Sequence, residues 1–231
     1  MAIEICALCV RLLARETSPT TAATPQIGGG LLAGIRHTFA SPYLLAIAAC
    51  VLLYALTSTF LYSQQTLIFE TLVPDRAERT RLFALQDLIV NLSLIAVQAA
   101  VTGRVVRWLG VAAALAALPV YTAGGFGLLL VAPSVAAVLL FQGSRRVVHF
   151  AFDRPAREVL FTVVPREDKY KAKSFIDTVV YRGGDALGGW LYAALGVLAM
   201  PAAIPLALVW LAATVTLARR HAAKDKIGAT P

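Results

Sequence analysis

The sequence predicts an all-α membrane protein with six transmembrane helices. Two runs, residues 108–144 and 186–218, contain no charged side chain, and each is more than thirty residues long. A helix needs about 20 apolar residues to cross the hydrocarbon of a bilayer, so each run is long enough to cross, turn and return. The chain of 231 residues is 58% hydrophobic, only 15% charged, and has a mean hydropathy of +0.72.

The first 40 residues are expected to lie outside the bilayer core. Residues 1–13 lack a basic region and a cleavage site, so they are interpreted as a short interfacial helix, or as the tail of a span whose beginning is missing, rather than as a signal peptide. Residues 17–30 have the composition of a linker, and a short amphipathic piece at 31–40 follows. We assign residues 1–40 to an N-terminal interfacial helix and cytoplasmic linker, 41–220 to the six-span domain, and 221–231 to a cytoplasmic tail.

The six spans are predicted in chain order from hydropathy and breakers. Ser41-Pro42 is typical of a helix start, with serine as the cap and proline at the first position. Thr122 to Gly125 is predicted to form the turn between the third and fourth spans, and Met200-Pro201 to break the chain before the sixth. The predicted spans are 43–63, 82–102, 105–121, 126–148, 174–198 and 203–218.

The distribution of basic residues supports this layout. With the N-terminus in the cytoplasm, loops on that side carry 17 Lys and Arg residues and the opposite side only 3, with Arg182 left inside a span. Such an asymmetry is what the positive-inside rule expects. The net charge of +8 is therefore attributed to topology rather than to nucleic acid. We expect a bacterial inner membrane protein with both termini in the cytoplasm.

Charged side chains at membrane depth mark candidate functional positions, because they are costly there. The fifth predicted span contains Asp177, Arg182 and Asp185. On a helix, Asp177, Tyr181 and Asp185 share one face, and Arg182 can reach Asp185 three residues later. This pattern indicates a substrate or ion pathway, although a structural ion pair explains it equally well.

Two further helices carry polar stripes. The second span has Asp87, Asn91 and Gln98 on one face, and the first has Tyr54 on a similar stripe with Ser58, Tyr62 and Gln65. Helices that contact only lipid do not need such stripes. They favour a polar cavity, with hydrogen bonding between helices as the alternative.

The segment 145–174 is predicted to be the longest polar loop. Its basic residues, among them Arg157, Lys169, Lys171 and Lys173, can bind phosphate or anionic headgroups, and composition alone favours the headgroups. The sequence has no P-loop, H-E-x-x-H or G-x-S-x-G motif, so no enzyme activity, catalytic residue, metal or cofactor is expected.

Residues 152–185 (FDRPAREVLFTVVPREDKYKAKSFIDTVVYRGGD) resemble the segment that leads into the eleventh span of the ATP/ADP antiporters. The similar features are Phe152 and Asp153, Arg157 and Glu158, the basic run Lys169, Lys171 and Lys173, and then Asp177 and Arg182. Residues 41–65 also look like the seventh span of bacterial relatives. The resemblance covers most of residues 30–220.

The resemblance implies the C-terminal six-span half of a twelve-helix, major-facilitator-type transporter that works by alternating access. Nucleotide or another anionic solute would be the substrate, and a second six-span half or a homodimer the partner in the lipid bilayer. Arg182, Asp185, Asp177, Tyr181, Asp87, Asn91, Gln98 and Tyr54 would line the pathway, with Arg157, Lys169, Lys171 and Lys173 at the cytoplasmic mouth. Nucleotide-exchanging members tend to carry lysine where this chain has Asp185. A solute or proton-coupled permease and a non-transporting six-span module therefore stay open as alternatives.

Overall fold

The computed structural model describes residues 31–100 and 102–228. Within these ranges, the side chains of residues 31–33, 100, 102–109, 166–168 and 224–228 are not described. The described chain is helical nearly throughout and contains no strand. The α-helices are α1 (Leu31–Ala40), α2 (Pro42–Leu72), α3 (Arg76–Ala100), α4 (Thr102–Val131, with a kink at Gly110, where φ is +75°), α5 (Val135–Val148), α6 (Arg154–Leu160), α7 (Arg166–Phe175), α8 (Tyr181–Leu195) and α9 (Ala199–Gly228). A π-turn at His149–Asp153 joins α5 to α6, and another at Ile176–Val180 joins α7 to α8.

Helix α2 is the central element of the structure. Its start is as predicted: the Ser41 hydroxyl accepts a hydrogen bond from the Leu44 N–H, and Pro42 occupies the first turn. Buried residues then follow along almost its whole length. It packs against α4, α5, α8 and α9, so the candidate site is built on this helix.

The helices cross the molecule in alternating directions. Along α8, Tyr181 contacts Tyr54 and Tyr192 contacts Phe60, so α8 runs parallel to α2. Along α9 the order is reversed, since Trp210 contacts Tyr54 and His221 contacts Tyr43. The reversal occurs at Gly196, which has φ +54°, a conformation open to glycine.

Four stretches of the described chain are long and apolar enough to cross a membrane: Pro42–Leu72, Arg76–Ala99, Gly110–Val131 and Lys169–Ala223. The last contains the reversal at Gly196. The predicted class, an all-helical membrane protein, is consistent with these stretches. The chain reverses at Gly196, four residues before the break predicted at Met200-Pro201. Pro201 does not break the helix, because a proline is tolerated in the first turn of α9.

The predicted turn at Thr122–Gly125 is wrong. Helix α4 continues through it to Val131, and the chain turns at Ala132–Ser134 instead. The Ser134 hydroxyl caps α5 by accepting from the Ala137 N–H. Gly125 serves packing, since a Cβ there would lie 2.0 Å from the Phe141 ring. The predicted fourth span, 126–148, therefore combines the end of α4 with α5.

The predicted loop at 145–174 is mostly helical, because α5, the π-turn, α6 and α7 occupy it. Arg145 and Arg146 belong to α5 rather than to a loop. Removing these 2 from the 17 basic residues assigned to the cytoplasmic side leaves 15 against 3. Helix α1 packs on α7. Residues 1–30 and 229–231, including the predicted interfacial helix and linker, lie outside the described residues, and α9 extends through most of the predicted tail.

Small residues bring α8 close to α2. A Cβ on Gly184 would lie 2.7 Å from the Ala55 Cβ, and one on Gly188 would lie 2.9 Å from the Thr59 Cβ. Real Cβ atoms do not approach so closely, so the two backbones would have to separate. The contact holds the polar face of α8 against the middle of α2.

We predict that Gly184→Ala destabilises the protein by about 1–3 kcal/mol, which is typical of overpacking. Gly183→Ala is the matched control, because no atom lies within 4 Å of its added Cβ and alanine favours a helix by up to about 1 kcal/mol. Thermal unfolding in detergent measures both. Equal melting temperatures for the two variants would refute the close contact.

Candidate functional site

An open polar cleft of about 370 Å³ lies between α2, α5 and α8. Its walls come from the polar faces of these helices and from the ring of Phe150 in the first π-turn. Ligand sites are commonly concave and contain a few convergent polar groups, and this cleft has that character. Its lining comprises Tyr54, Ser58, Thr59, Tyr62, Gln142, Arg145, Arg146, Phe150, Tyr181 and Asp185.

Arg145 forms the floor of the cleft and is only 3% exposed. Its Nε donates to the Thr122 hydroxyl at 2.9 Å, its Nη1 to Ser58 at 2.8 Å and its Nη2 to Thr57 at 2.8 Å. Its guanidinium also lies 5.1 Å from the centre of the Tyr54 ring. Among the described residues, no carboxylate lies within ion-pair distance of it. The cleft therefore presents a positive charge that is hydrogen-bonded but not neutralised by a salt bridge.

Tyr54 separates Arg145 from a second polar group. The ring of Tyr54 stacks on His149 with 3.9 Å between centroids. The His149 Nδ1 lies 3.0 Å from Asp153 Oδ2, and both side chains are buried. These residues lie in the π-turn between α5 and α6, where the extra residue per turn changes which side chains face inward.

A small pocket lies on the other side of Tyr54. It has a volume of about 20 Å³, and Cys50, Asp153, Arg157 and Thr214 are among its lining residues. Arg157 also faces Asp177, with 4.0 Å between Nη2 and Oδ1. A weak ion pair thus links α6 to the second π-turn beside this pocket.

The structure brings three of the eight predicted pathway residues to the cleft: Tyr54, Tyr181 and Asp185. The Asp185 carboxylate accepts a hydrogen bond from Thr59 at 3.4 Å. Arg182 is exposed and, among the described residues, forms no ion pair with Asp185. Asp177 lies within the second π-turn, outside the cleft lining, and pairs with Arg157 instead.

The predicted stripe on α3 lies outside the cleft lining. Asp87 pairs with Arg146 next to the cleft, whereas Asn91 and Gln98 are exposed. Two other polar residues connect α2 and α3, since Gln65 Nε2 donates to Gln86 Oε1 at 2.6 Å. A pathway role for Asn91 and Gln98 stays a prediction.

The predicted basic mouth is spread along two short helices. Lys173 pairs with Glu158, and Arg157 pairs with Asp177. Lys171 lies where α7 packs on α1, since its carbonyl oxygen approaches Gly34. Lys169 is half-buried at the start of α7. None of the four lines the cleft, and their role as a cytoplasmic mouth stays a prediction.

Sequence reasoning missed the central residue of the site. Arg145 and Arg146 were counted as loop charges because they follow a long apolar run. One signal was available: Ser58 lies on the predicted polar stripe of the first span and needs a hydrogen-bond partner, which an arginine at the end of another span could provide. Its pairing with Thr57 and Thr122 depends on tertiary packing.

A scan against models of protein families finds none that matches the chain, and searches of curated proteins and of solved structures find no match. Function must therefore be argued from the chemistry of the cleft.

We predict that Arg145→Lys lowers the free energy of unfolding by about 1–3 kcal/mol, because one ammonium group cannot replace three spread donors and leaves buried hydroxyls without a partner. Arg146→Lys is the matched control, since its partly exposed ion pair should contribute about 1 kcal/mol or less. Denaturant unfolding in detergent compares the two. Equal losses would contradict the central position assigned to Arg145.

Proposed function

We propose that the chain is the C-terminal half of a membrane transporter for an anionic solute. One observation carries this proposal: a buried arginine, which has no salt-bridge partner within the described part of the chain, faces a polar cleft between apolar helices. A charged group at such depth usually marks a substrate or ion pathway. An arginine presents planar, forked donors that suit phosphate and carboxylate groups.

The openness of the cleft favours a second half. Transporters of the major-facilitator type place the substrate site between two six-helix halves and rock one against the other. Long helices that run in alternating directions, with polar faces on α2, α5 and α8 that meet at one cleft, suit such a half. The other half is a separate six-span chain or a second copy of this one, in the bacterial inner membrane with both termini in the cytoplasm.

Nucleotides are the first solutes to test, because the resemblance to the ATP/ADP antiporters supplies that expectation. The basic residues Arg157, Lys169, Lys171 and Lys173 would raise the local concentration of a polyanion at the cytoplasmic side. Asp185 lowers the net positive charge of the cleft, so a smaller or less charged anion is the alternative to a nucleotide as the solute. Both share the same chemistry at Arg145.

We predict that ATP or another small anion raises the melting temperature of the purified protein, because a ligand of the native state stabilises it by mass action. Arg145→Gln should abolish the shift, and Arg146→Gln should reduce it less. Vesicles with the protein, alone or with a candidate N-terminal half, should then exchange labelled ATP for ADP. Absence of exchange in both arrangements would reject nucleotide, and absence of any anion-dependent shift would reject the anion site.

A proton-coupled permease is the second candidate, and the position of Asp185 favours it. Asp185 is an acidic side chain in the cleft, half-buried and hydrogen-bonded to Thr59. Carboxylates inside membrane helices often carry protons in transporters.

For that candidate we predict that Asp185→Asn abolishes the dependence of uptake on an imposed pH gradient while solute binding survives. Thr59→Val is the control, because it removes the hydrogen bond and keeps the carboxylate. Full pH dependence in the Asp185→Asn variant would remove the residue from any coupling role.

A further inference from the structure

The proposed anion site leaves a buried titratable pair without a role. His149 is 4% exposed and Asp153 is 7% exposed, although both lie in a π-turn next to the cleft. Buried polar groups carry a cost unless they are hydrogen-bonded, and among the residues that the structure describes this pair is hydrogen-bonded only within itself, across 3.0 Å. Single-turn π-helices are frequent at functional sites, so the pair calls for a functional explanation.

Tyr54 is a wall shared by two cavities of very different size. On one side is the cleft of about 370 Å³, and on the other is the pocket of about 20 Å³ that Asp153 lines. The smaller volume suits a single water molecule, which needs at least about 10–15 Å³. A solute therefore fits the cleft only, whereas a proton can reach Asp153 by way of water. The cleft therefore suits the solute, and the small pocket suits the proton.

We propose that His149 and Asp153 form the binding site of a proton that is coupled to the anion at Arg145. This inference rests on the proposed function and adds the coupling ion. An ionised Asp153 only accepts hydrogen bonds, so Nδ1 of His149 carries the hydrogen between them and Nε2 is free to take another. A hydronium ion delivers that proton and leaves as water, and the charge of the pair changes from −1 to 0.

The surrounding charges leave Arg145 and this pair facing each other across Tyr54. On α6, Arg157 lines the same small pocket as Asp153 and pairs only weakly with Asp177, so its positive charge also faces the pair. On α3, the carboxylate of Asp87 is held by Arg146. Helices α4 and α9 add no charge here, since α4 has no charged residue after Arg107 and α9 contributes Trp210 and Thr214. The other titratable groups nearby are Tyr54 and Cys50 on α2 and Tyr181 and Asp185 on α8.

The charges fix the sign of the coupling. Without a solute, the negative pair is compensated by the positive charges of Arg145 and Arg157. An anion at Arg145 adds negative charge beside the pair, and a proton on His149 removes that repulsion. Anion and proton therefore favour each other's binding, and linkage requires the effect to be reciprocal. A fall in pH tightens anion binding, with a coupling on the order of tenfold.

Binding of labelled ATP to the purified full chain in detergent, measured at pH 6 and pH 8, tests the proposal. Between pH 8 and pH 6, the affinity of the wild type for ATP should rise about tenfold more than the affinity of the His149→Gln variant does. Comparing variants at one pH cancels the titration of ATP itself. His221→Gln is the matched control, because this histidine lies beside Tyr43 at the far end of α2 and should behave as wild type.

Asp153→Asn supplies a second variant in case His149→Gln does not fold, and should also lose the extra tightening. Histidine NMR of the folded wild-type protein adds a direct readout: ATP should move the titration of one of the three histidines to higher pH. Binding by wild type with unchanged pH dependence in both variants would overturn the proton site alone. No ATP binding by wild type at either pH would overturn the proposed nucleotide site, and the coupling with it.

Discussion

The guanidinium of Arg145 imposes the main constraint on this structure. A positive charge among apolar helices is costly unless its N–H groups find acceptors, because an unpaired polar group is unfavourable there. The three hydroxyls that accept its hydrogen bonds come from α2 and α4, so the residue ties α5 to both helices at once. The remaining helices pack around this junction. Glycines at positions 184 and 188 let α8 approach α2 closely, and this approach forms the third wall of the cleft.

A consequence of this arrangement is a division of the interior at Tyr54. The ring lies between the guanidinium of Arg145 and the imidazole of His149 in the contact network, and it also borders both cavities. A large polar cleft and a water-sized pocket therefore meet at one side chain. Any movement that connects them must displace Tyr54 or the π-turn behind it. Rocking of this half against a second half would act on the same elements, since α2, α5 and α8 form the open face.

The sequence predicted the helical class, the start of α2 and the polar face of α2 and α8, because hydropathy and capping are local properties. Tyr54, Tyr181 and Asp185 were identified for the same reason. The turn after α4 was misplaced, since the glycines at 124–125 signal a turn locally, whereas here Gly125 allows close contact with Phe141. The helices in 145–174 were missed because their charges resemble those of a loop. Arg145 was missed because its partners are distant in sequence, and the two π-turns shift the helical register in a way that no fixed period of 3.6 residues describes.

The central claim is that a water-accessible cleft lies inside a protein whose outer face contacts lipid. Cysteine accessibility in intact membranes tests it most directly, in a chain from which the native cysteines have been removed. Gln142→Cys lies in the cleft, and Val209→Cys lies on the exposed apolar face of α9 at the depth of Trp210. We expect a membrane-impermeant thiol reagent to modify the first and spare the second. Modification of both would show that the outer face is in water, and protection of both would show that the cleft is closed to it; either result would contradict this account.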